Sequence, residues 1–285
     1  IVAISSVSGA DATESGSQSV TITINDNEAT PTVTLTVSAT SIAENAGSSL
    51  TLTATLSGAT DETVTVALGT SGSATEGTDY TDGSGNVDDI TISAGSTTGT
   101  ASLDPTDDSV YEDDETVTVT IDGVSGGNAS ESGSQSVTIT ITENESAPTI
   151  TLARSAASID ENSGSTITLT ATISGVTDSA VTVALDTSGT ATEGTDYGTI
   201  SDITISAGAT TGTATLDPTD DNIYEGDETA TIDIGSVSGK SGVTENGTQQ
   251  VSVTIAENES APTVTLTASD NTIAENAGTS LTLTA

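Results

Sequence analysis

The sequence lacks several residue types altogether, and each absence excludes a class of chemistry. It contains no cysteine, histidine, methionine, tryptophan or phenylalanine, and its only aromatic residues are four tyrosines. Without cysteine or histidine the chain forms no disulfide, has no thiolate or imidazole catalyst, and lacks the usual ligands of zinc and copper. No run of 18 apolar residues is present, so we expect no membrane-spanning helix.

Positive charge is almost absent. Arg154 and Lys240 are the only two cations against 42 Asp and Glu residues, which gives a formal net charge of −40 over 285 residues. Binding to nucleic acid or to an anionic lipid surface requires a cluster of cations. The composition therefore predicts no nucleic-acid partner and no direct membrane contact.

The apolar residues that are present follow the period of a β-strand. Only 32% of the residues are hydrophobic, which is low for a globular chain. Valine, isoleucine and leucine nevertheless alternate with threonine and serine in short runs, a pattern that buries one face of a strand. Because no long stretch has the apolar spacing of a helix, we expect an all-β fold.

The sequence repeats itself with a period of 117 residues from Glu44 to Glu161 and 114 from Glu161 to Glu275. This period is too long for a solenoid unit and matches an independently folding domain. We expect a segment of a longer array, with two complete domains flanked by two partial ones. The predicted boundaries are 1–30 for the C-terminal part of a domain, 31–147 and 148–261 for complete domains, and 262–285 for the N-terminal part of a further one.

Seven runs in the first complete domain predict strands whose inward faces are aliphatic and whose outward faces carry threonine and serine. Seven short strands separated by turn signals indicate a two-sheet β-sandwich. The predicted strands are 32–37, 49–57, 63–68, 89–93, 99–103, 115–122 and 135–142. The predicted core consists of Val33, Leu35, Val37, Leu50, Leu52, Ala54, Leu56, Val64, Val66, Leu68, Ile90, Ile92, Ala101, Leu103, Val117, Val119, Ile121, Val137, Ile139 and Ile141.

Most of the acidic residues fall in loops. Alternate loops of an antiparallel sandwich return to the same end, so the loops after the first, third and fifth strands and the tail after the seventh share one end. We expect seven acids to gather there, at the junction with the next domain. They are Glu44, Asp79, Asp107, Asp108, Glu112, Glu143 and Glu145.

Such crowding favours a bound cation. A like-charge pair about 4 Å apart costs about 4 kcal/mol at an effective dielectric constant of 20, and no lysine or arginine lies nearby in the sequence. Calcium takes about six to eight oxygen ligands in a flexible shell, so Ca²⁺ is the predicted cofactor. The alternative is that the acids only solvate the surface, as in a high-salt habitat. That alternative predicts acids on the outward strand faces, which carry threonine and serine instead.

Three motifs in order resemble the Calx-beta domain. Glu44-Asn-Ala-Gly follows the first strand, Gly77-Thr-Asp-Tyr lies mid-domain, and the segment 107–116 has the form Asp-Asp-x-x-x-Glu-x-Asp-Glu-Thr. All three recur in the second domain, with serine for alanine in the first motif. The resemblance covers the whole chain and implies tandem immunoglobulin-like, seven-stranded β-sandwiches that bind calcium at the end facing the next domain.

The resemblance also implies calcium ligands in the other domains. In the second complete domain they are Glu161, Asp196, Asp220, Asp221, Glu225, Glu257 and Glu259, and in the partial domains Asp26, Glu28 and Glu275. A cadherin-like adhesion module is an alternative, because Asn25-Asp26-Asn27 precedes a proline. The other acidic motifs of cadherins are absent, so this alternative ranks second.

The four tyrosines are expected to be structural. Tyr111 and Tyr224 precede the sixth strand, where the ring packs and the hydroxyl group finds a backbone partner in related sandwiches. Tyr80 and Tyr197 are expected to cover the edge of the core beside the metal end.

The leading functional hypothesis is structural. The short linkers that end in proline are stiff, so the repeats predict a calcium-rigidified segment of an extracellular, secreted stalk or filament, adhesin-like and located at the cell surface. Its predicted partners are adjacent repeats of the same protein, with possible self-assembly into a filament. The alternative is a calcium-sensing regulatory domain pair, which needs tight binding and a membrane partner. An enzyme is not expected, because a carboxylate-based glycosidase needs a cleft and aromatic platforms.

Overall fold

The computed structural model describes residues 1–25, 27–83, 87–276 and 278–285. Every regular element in these residues is a β-strand. No helix in this part of the chain is long and apolar enough to cross a membrane. The prediction of an all-β fold is confirmed.

The segment 1–30 contains one antiparallel pair of two-residue strands. Strand β1 spans Val2–Ala3 and strand β2 spans Ser19–Val20, with Val2 opposite Val20. At the other end of the chain, short strands at Thr267–Ala268 and Leu283–Thr284 form a similar pair.

The first complete repeat folds into two five-stranded sheets. Its strands are β3 (Thr32–Val37), β4 (Ser41–Ala43), β5 (Leu50–Leu56), β6 (Val64–Gly72), β7 (Tyr80–Thr81), β8 (Ile90–Ile92), β9 (Thr98–Pro105), β10 (Val110–Tyr111), β11 (Glu115–Ser125), β12 (Ser130–Glu131) and β13 (Ser136–Thr142). One sheet has the order β4-β13-β11-β6-β8 and the other β12-β3-β5-β9-β7.

The seven predicted strands correspond to β3, β5, β6, β8, β9, β11 and β13. Alternating apolar and polar residues determine which face of each strand is buried. In β5 the leucines and Ala54 are buried, while the intervening threonines are partly or fully exposed. Strand β6 extends to Gly72 and β11 to Ser125, beyond the predicted ends, because the C-terminal half of each strand pairs with the N-terminal half of the other, from Gly72 opposite Val117 to Ser125 opposite Thr65. The short strands β4, β7, β10 and β12 were not predicted, since none of them has two buried apolar residues two positions apart, as β8 does with Ile90 and Ile92.

Most of the predicted core residues are buried. Val33, Leu52, Ala54, Val64 and Ile139 are among those with no exposed surface. Four predicted core residues are only half-buried: Val37, Leu68, Ala101 and Val137.

The second complete repeat follows the same plan. Its strands are β14 (Thr149–Arg154), β15 (Ser158–Asp160), β16 (Ile167–Ile173), β17 (Val176–Thr177), β18 (Val181–Gly189), β19 (Ile203–Ile205), β20 (Thr211–Leu216), β21 (Glu228–Ser238), β22 (Thr244–Glu245) and β23 (Gln250–Ala256), after which β24 (Thr267–Ala268) and β25 (Leu283–Thr284) form the last pair. The two sheets have the orders β15-β23-β21-β18-β19 and β20-β16-β14-β22. The two complete repeats are thus the predicted tandem sandwiches of the immunoglobulin-like class.

The chain divides into two compact units whose bounds cross the first repeat. The first unit comprises Ile1–Thr40, Ser48–Asp104 and Val117–Ile139, and the second comprises Ser41–Gly47, Pro105–Thr116 and Thr140–Ala285. Three end segments of the first repeat thus belong to the same unit as the whole second repeat. The domain boundaries that the sequence predicts stay a prediction.

The tyrosines differ from expectation in part. Tyr80 and Tyr197 lie fully inside their sandwiches rather than over the edge of the core, each with 1% of its surface exposed. Tyr111 is half-buried. Tyr224 is 45% exposed, so its predicted packing is wrong: the loop that carries it forms no strand and lies at the surface.

Candidate metal centre

Strand pairing brings two glutamates together at one end of the first repeat. The short strand β4 runs parallel to the end of β13, with Ala43 opposite Thr142. The next residue on each strand is a glutamate, and the Glu44 N–H continues the ladder by donating to the Thr142 carbonyl oxygen (3.1 Å). Glu44 and Glu143 are therefore neighbours because of sheet register alone.

Glu145 completes the first cluster. One carboxylate oxygen from each of Glu44, Glu143 and Glu145 lies within 4.8 Å of the other two. Glu44 is 8% exposed, and its Oε1 accepts a hydrogen bond from the Asp108 N–H (3.2 Å). The Glu143 carboxylate accepts from the N–H groups of Glu145 (2.7 Å) and Glu112. The linker backbone is thus folded around the Glu143 carboxylate.

The electrostatics of the first cluster are unfavourable without a cation. Burial raises the pKa of Glu44, and the negative charge of Glu143 adds to it. Contact with the Glu143 carboxylate, burial and further negative charges raise the pKa of Glu145 to about 7. Burial alone would raise the pKa of Glu143, but the hydrogen bonds donated to it outweigh burial and lower that pKa. One carboxylate is therefore held ionised beside two that resist ionisation.

The second repeat reproduces this cluster at its own end. Strand β15 pairs with β23, with Asp160 opposite Ala256, so that Glu161 and Glu257 follow side by side. Oxygens of Glu161, Glu257 and Glu259 lie within 4.8 Å of one another.

Hydrogen bonds separate the pKa values of this second cluster. N–H groups of Glu259 (2.8 Å), Glu225 (2.6 Å) and Gly226 (2.8 Å) donate to the Glu257 carboxylate and lower its pKa to about 2. Contact with Glu257 and burial raise the pKa of Glu259 to about 7. Burial likewise raises the pKa of Glu161.

A third cluster lies beside the second. Oxygens of Asp196, Glu225 and Glu228 converge within 4.8 Å. The Asp196 carboxylate also accepts the Thr192 N–H (2.6 Å), which fixes the turn before Tyr197. Burial and contact with Asp196 raise the pKa of Glu228 to about 7. Asp79 fixes the corresponding turn in the first repeat by accepting the Thr75 N–H (2.6 Å).

Some predicted ligands stand beside the clusters rather than in them. The charges of Asp107 and Asp108 raise the pKa of Glu44, and those of Asp220 and Asp221 raise that of Glu161. Within the described residues these four are not among the acids that converge in threes. The carboxylates of Asp108 and Asp221 instead accept N–H groups two residues ahead, at Val110 and Ile223.

The acids of the partial domains form no such cluster in the part of the chain that the structure describes. Glu28 lines a cavity with Pro31 in the first unit, and Glu275 is exposed. Asp26 lies outside the described residues, so its predicted role, like the cadherin-like alternative that depends on it, stays a prediction.

Sequence reasoning missed two features of these ends. Glu228 was not named as a ligand, although it stands three residues after Glu225, at the start of β21. No lysine or arginine lies near the acidic loops in the sequence, but the fold brings one there: the Lys240 ammonium lies 3.1 Å from Asp113, in the end segment of the first repeat. These residues are far apart in sequence, so their spacing along the chain does not reveal the pair.

The donor set fits calcium. The Oε2 atoms of Glu145 and Glu259 are buried and accept no hydrogen bond, and a buried acceptor without a partner is costly. A hard cation with oxygen ligands would satisfy these atoms and the carboxylates around them. The residues that would hold it are Glu44, Glu143 and Glu145 at the first cluster, and Glu161, Glu257 and Glu259 at the second.

Comparison with known proteins gives one family. The Calx-beta domain family matches this sequence twice, over residues 26–145 and 143–259. No curated protein matches the chain. Similar solved structures include CBD12 from CALX1.2, which is 18% identical with a TM-score of 0.34 and covers 79% of this chain and 100% of its own. The Yersinia pseudotuberculosis adhesin InvE is 16% identical with a TM-score of 0.34, covering 78% of this chain and 58% of its own.

Proposed function

Because this chain belongs to the Calx-beta domain family, we propose that its repeats bind Ca²⁺ at the two glutamate clusters and that the bound ions stiffen the joints of a structural repeat segment. The third cluster, around Asp196, is a further candidate for the same ion. Calx-beta domains are non-catalytic calcium-binding modules, and nothing in this chain points to an enzyme.

One observation carries the proposal. Glu143 and Glu145 belong to the linker between the repeats, and Glu145 presents a buried oxygen atom that accepts no hydrogen bond. When bound, Ca²⁺ would supply the positive charge that this cluster lacks. The chain's own contribution is to hold the Glu143 carboxylate ionised with linker N–H groups and to place Glu44 beside it through the β4–β13 pairing.

The consequence concerns the linker. A ligand shell that includes two linker side chains and one strand-end side chain restricts the linker backbone, so a metal-bound array resists bending. We infer a role in an extracellular stalk or filament at the cell surface, with neighbouring repeats as partners and self-assembly as a further step. Extracellular modules bind calcium with dissociation constants of about 10⁻⁴ to 10⁻³ M, which suits such a location.

Calorimetric titration with calcium distinguishes this role from calcium sensing. The structural role predicts half-saturation near millimolar calcium and a higher melting temperature in calcium than in a chelator. Half-saturation near micromolar calcium would favour the sensor instead. A titration without binding heat, together with identical melting in calcium and chelator, would overturn the proposal.

A pair of neighbouring acids provides the matched control. Glu161→Gln removes one charge from the second cluster and should weaken calcium binding there. Asp160→Asn removes the same charge one residue earlier, where the side chain is exposed, and should leave the titration unchanged. Equal effects of the two substitutions would mean that net charge alone determines binding.

A further inference from the structure

The loop before β11 of the first repeat docks on the second repeat. Its strand β10 pairs in parallel with β17, with Val110 opposite Val176 and Tyr111 opposite Thr177. Tyr111 also packs against the hydrophobic core of the second repeat. We call residues 110–113 the docking loop of the first repeat. The surface that receives them, residues 176–178 and 240–242, is the acceptor surface of the second.

A buried lysine forms ion pairs at this contact. Lys240 is 6% exposed, and its ammonium group lies 3.1 Å from Asp113 and 2.9 Å from Asp178. The same group lies 5.5 Å from the centroid of the Tyr111 ring, within the range of a cation–π interaction. Burial lowers the pKa of Lys240, but the carboxylates of Asp178 and Asp113 outweigh it and raise that pKa. The lysine therefore stays charged.

The acceptor surface is also shaped for the tyrosine ring. Gly242 has a φ of +78°, and a Cβ atom there would lie 2.4 Å from the Tyr111 hydroxyl oxygen. A side chain at this position would require the hydroxyl end of the ring to shift.

The second repeat carries the same docking loop, and there it is uncovered. Ile223 and Tyr224 occupy the sequence positions of Val110 and Tyr111, and they are 61% and 45% exposed. Their counterparts Val110 and Tyr111 in the first repeat are covered by the second repeat. Gly226 stands where the first repeat has Asp113, so this loop lacks the charge that pairs with lysine.

The first repeat has the corresponding surface, and it is open, with Ala129 at the sequence position of Gly242. A cavity of about 410 Å³ lies there, lined by Glu28, Pro31, Gly58, Thr60, Asp61 and Gly127 among others. Asp61 occupies the sequence position of Asp178, and Gly127 occupies that of Lys240. This surface therefore has the acid but not the lysine.

We propose that the docking loop of the second repeat, residues 223–226, binds the acceptor surface of a further repeat of this fold, and that charge at one pair of positions selects that repeat. A loop with aspartate suits a surface with lysine, as at the observed contact. A loop with glycine suits a lysine-free surface of the first-repeat type, where an aspartate would face Asp61 without a cation. Unpaired like charges of this kind exclude wrong partners.

This docking goes beyond the proposed calcium function, because its pairing groups are a backbone ladder, a tyrosine ring and one lysine. All tests are made in a chelator, so a failure of docking is distinguishable from a failure of calcium binding. The readout is iodination of each tyrosine, followed by peptide mass spectrometry. The buried Tyr80 and Tyr197 are the unreactive references, and we expect Tyr224 to react several-fold faster than Tyr111.

The first test recreates the lysine-free pairing inside the existing chain. Lys240→Gly alone leaves Asp113 and Asp178 without a cation, so the reactivity of Tyr111 should rise several-fold. Adding Asp113→Gly gives the combination that we propose for the second docking loop, and Tyr111 should become protected again. If the double variant is as reactive as the single one, the charge rule is wrong.

The second test supplies the partner. Residues 262–285 match 31–54, so appending a copy of residues 55–147 after Ala285 completes a repeat with a lysine-free acceptor surface. Tyr224 should then react several-fold more slowly, and Ile223→Asp in the extended chain should restore its reactivity. Folding of the appended repeat is checked by the continued inertness of the Tyr80 peptide, which the copy shares. Unchanged reactivity of Tyr224 beside a folded appended repeat would overturn the proposal.

Discussion

Two groups of carboxylates in the second unit differ in how their charge is balanced. Asp113 and Asp178 share the ammonium group of Lys240. Glu44, Glu143 and Glu145 converge with no salt bridge reaching them among the described residues. The chain thus supplies its own cation to Asp113 and Asp178. At the glutamate cluster the pKa values of Glu44 and Glu145 are raised, and the buried Oε2 of Glu145 accepts no hydrogen bond. The difference predicts that only the glutamate cluster depends on a metal.

Removal of calcium should give the largest effect and should act on the glutamate clusters alone. A ligand present at 100 times its dissociation constant stabilises the folded state by about 2.7 kcal/mol per site. Chemical unfolding in about 10 mM calcium and in chelator, for sites of about 10⁻⁴ M affinity, measures this difference. A difference near zero would mean that both groups of carboxylates are indifferent to metal.

The effect of substituting Lys240 on the free energy of unfolding should be independent of metal. Lys240→Ala leaves Asp113 and Asp178 unpaired, and because Asp113 is largely exposed we expect a loss of about 1–2 kcal/mol in the free energy of unfolding. The loss should be equal in calcium and in chelator. A loss that appears only in chelator would show that calcium compensates for the lysine and that the two groups are coupled.

The effect of Glu44→Gln on stability should change from stabilising without calcium to destabilising with calcium. In chelator it removes one of three crowded charges and should slightly raise the melting temperature. In calcium it removes a ligand charge, and calcium affinity should fall about tenfold or more, since even indirect changes at metal sites cost about 10- to 100-fold. Destabilisation in both conditions would instead mark Glu44 as an ordinary structural residue.

The pH dependence should give the smallest effect. The pKa of Glu145 and that of Glu259 are each raised to about 7, above the ordinary glutamate value of 4.5. Between these values the folded state binds more protons than the unfolded state, so stability falls as pH rises. Metal-free protein should therefore melt at a lower temperature at pH 8 than at pH 5, and calcium should remove the decline. A rise in melting temperature over this range without metal would contradict the assignment.

The sheet framework could be predicted from sequence because it depends on local alternation. Leu50, Leu52, Ala54 and Leu56 all face the core of β5, as the period of two requires. The short strand β4 has only three residues and shows no period. Its pairing with β13 nevertheless places Glu44 beside Glu143. The sequence predicted only that these two residues lie at the same end of the sandwich.

The remaining features depend on contacts between segments far apart in the sequence. Lys240 reaches Asp113 across more than a hundred residues, and a count of cations near the acidic loops could not find it. The one available signal was the paired difference between the repeats, since Asp113 and Lys240 are both replaced by glycine at the equivalent positions 226 and 127. Glu228 was missed because the predicted ligands are loop residues, and this glutamate is the first residue of a strand.

The most direct test of the central claim is a crystal structure of the chain grown in millimolar calcium. We expect an ion bonded to oxygen atoms of Glu44, Glu143 and Glu145 at about 2.3–2.6 Å, and a second ion at Glu161, Glu257 and Glu259. Density that shows both clusters without an ion, with their carboxylates turned toward solvent, would contradict the account.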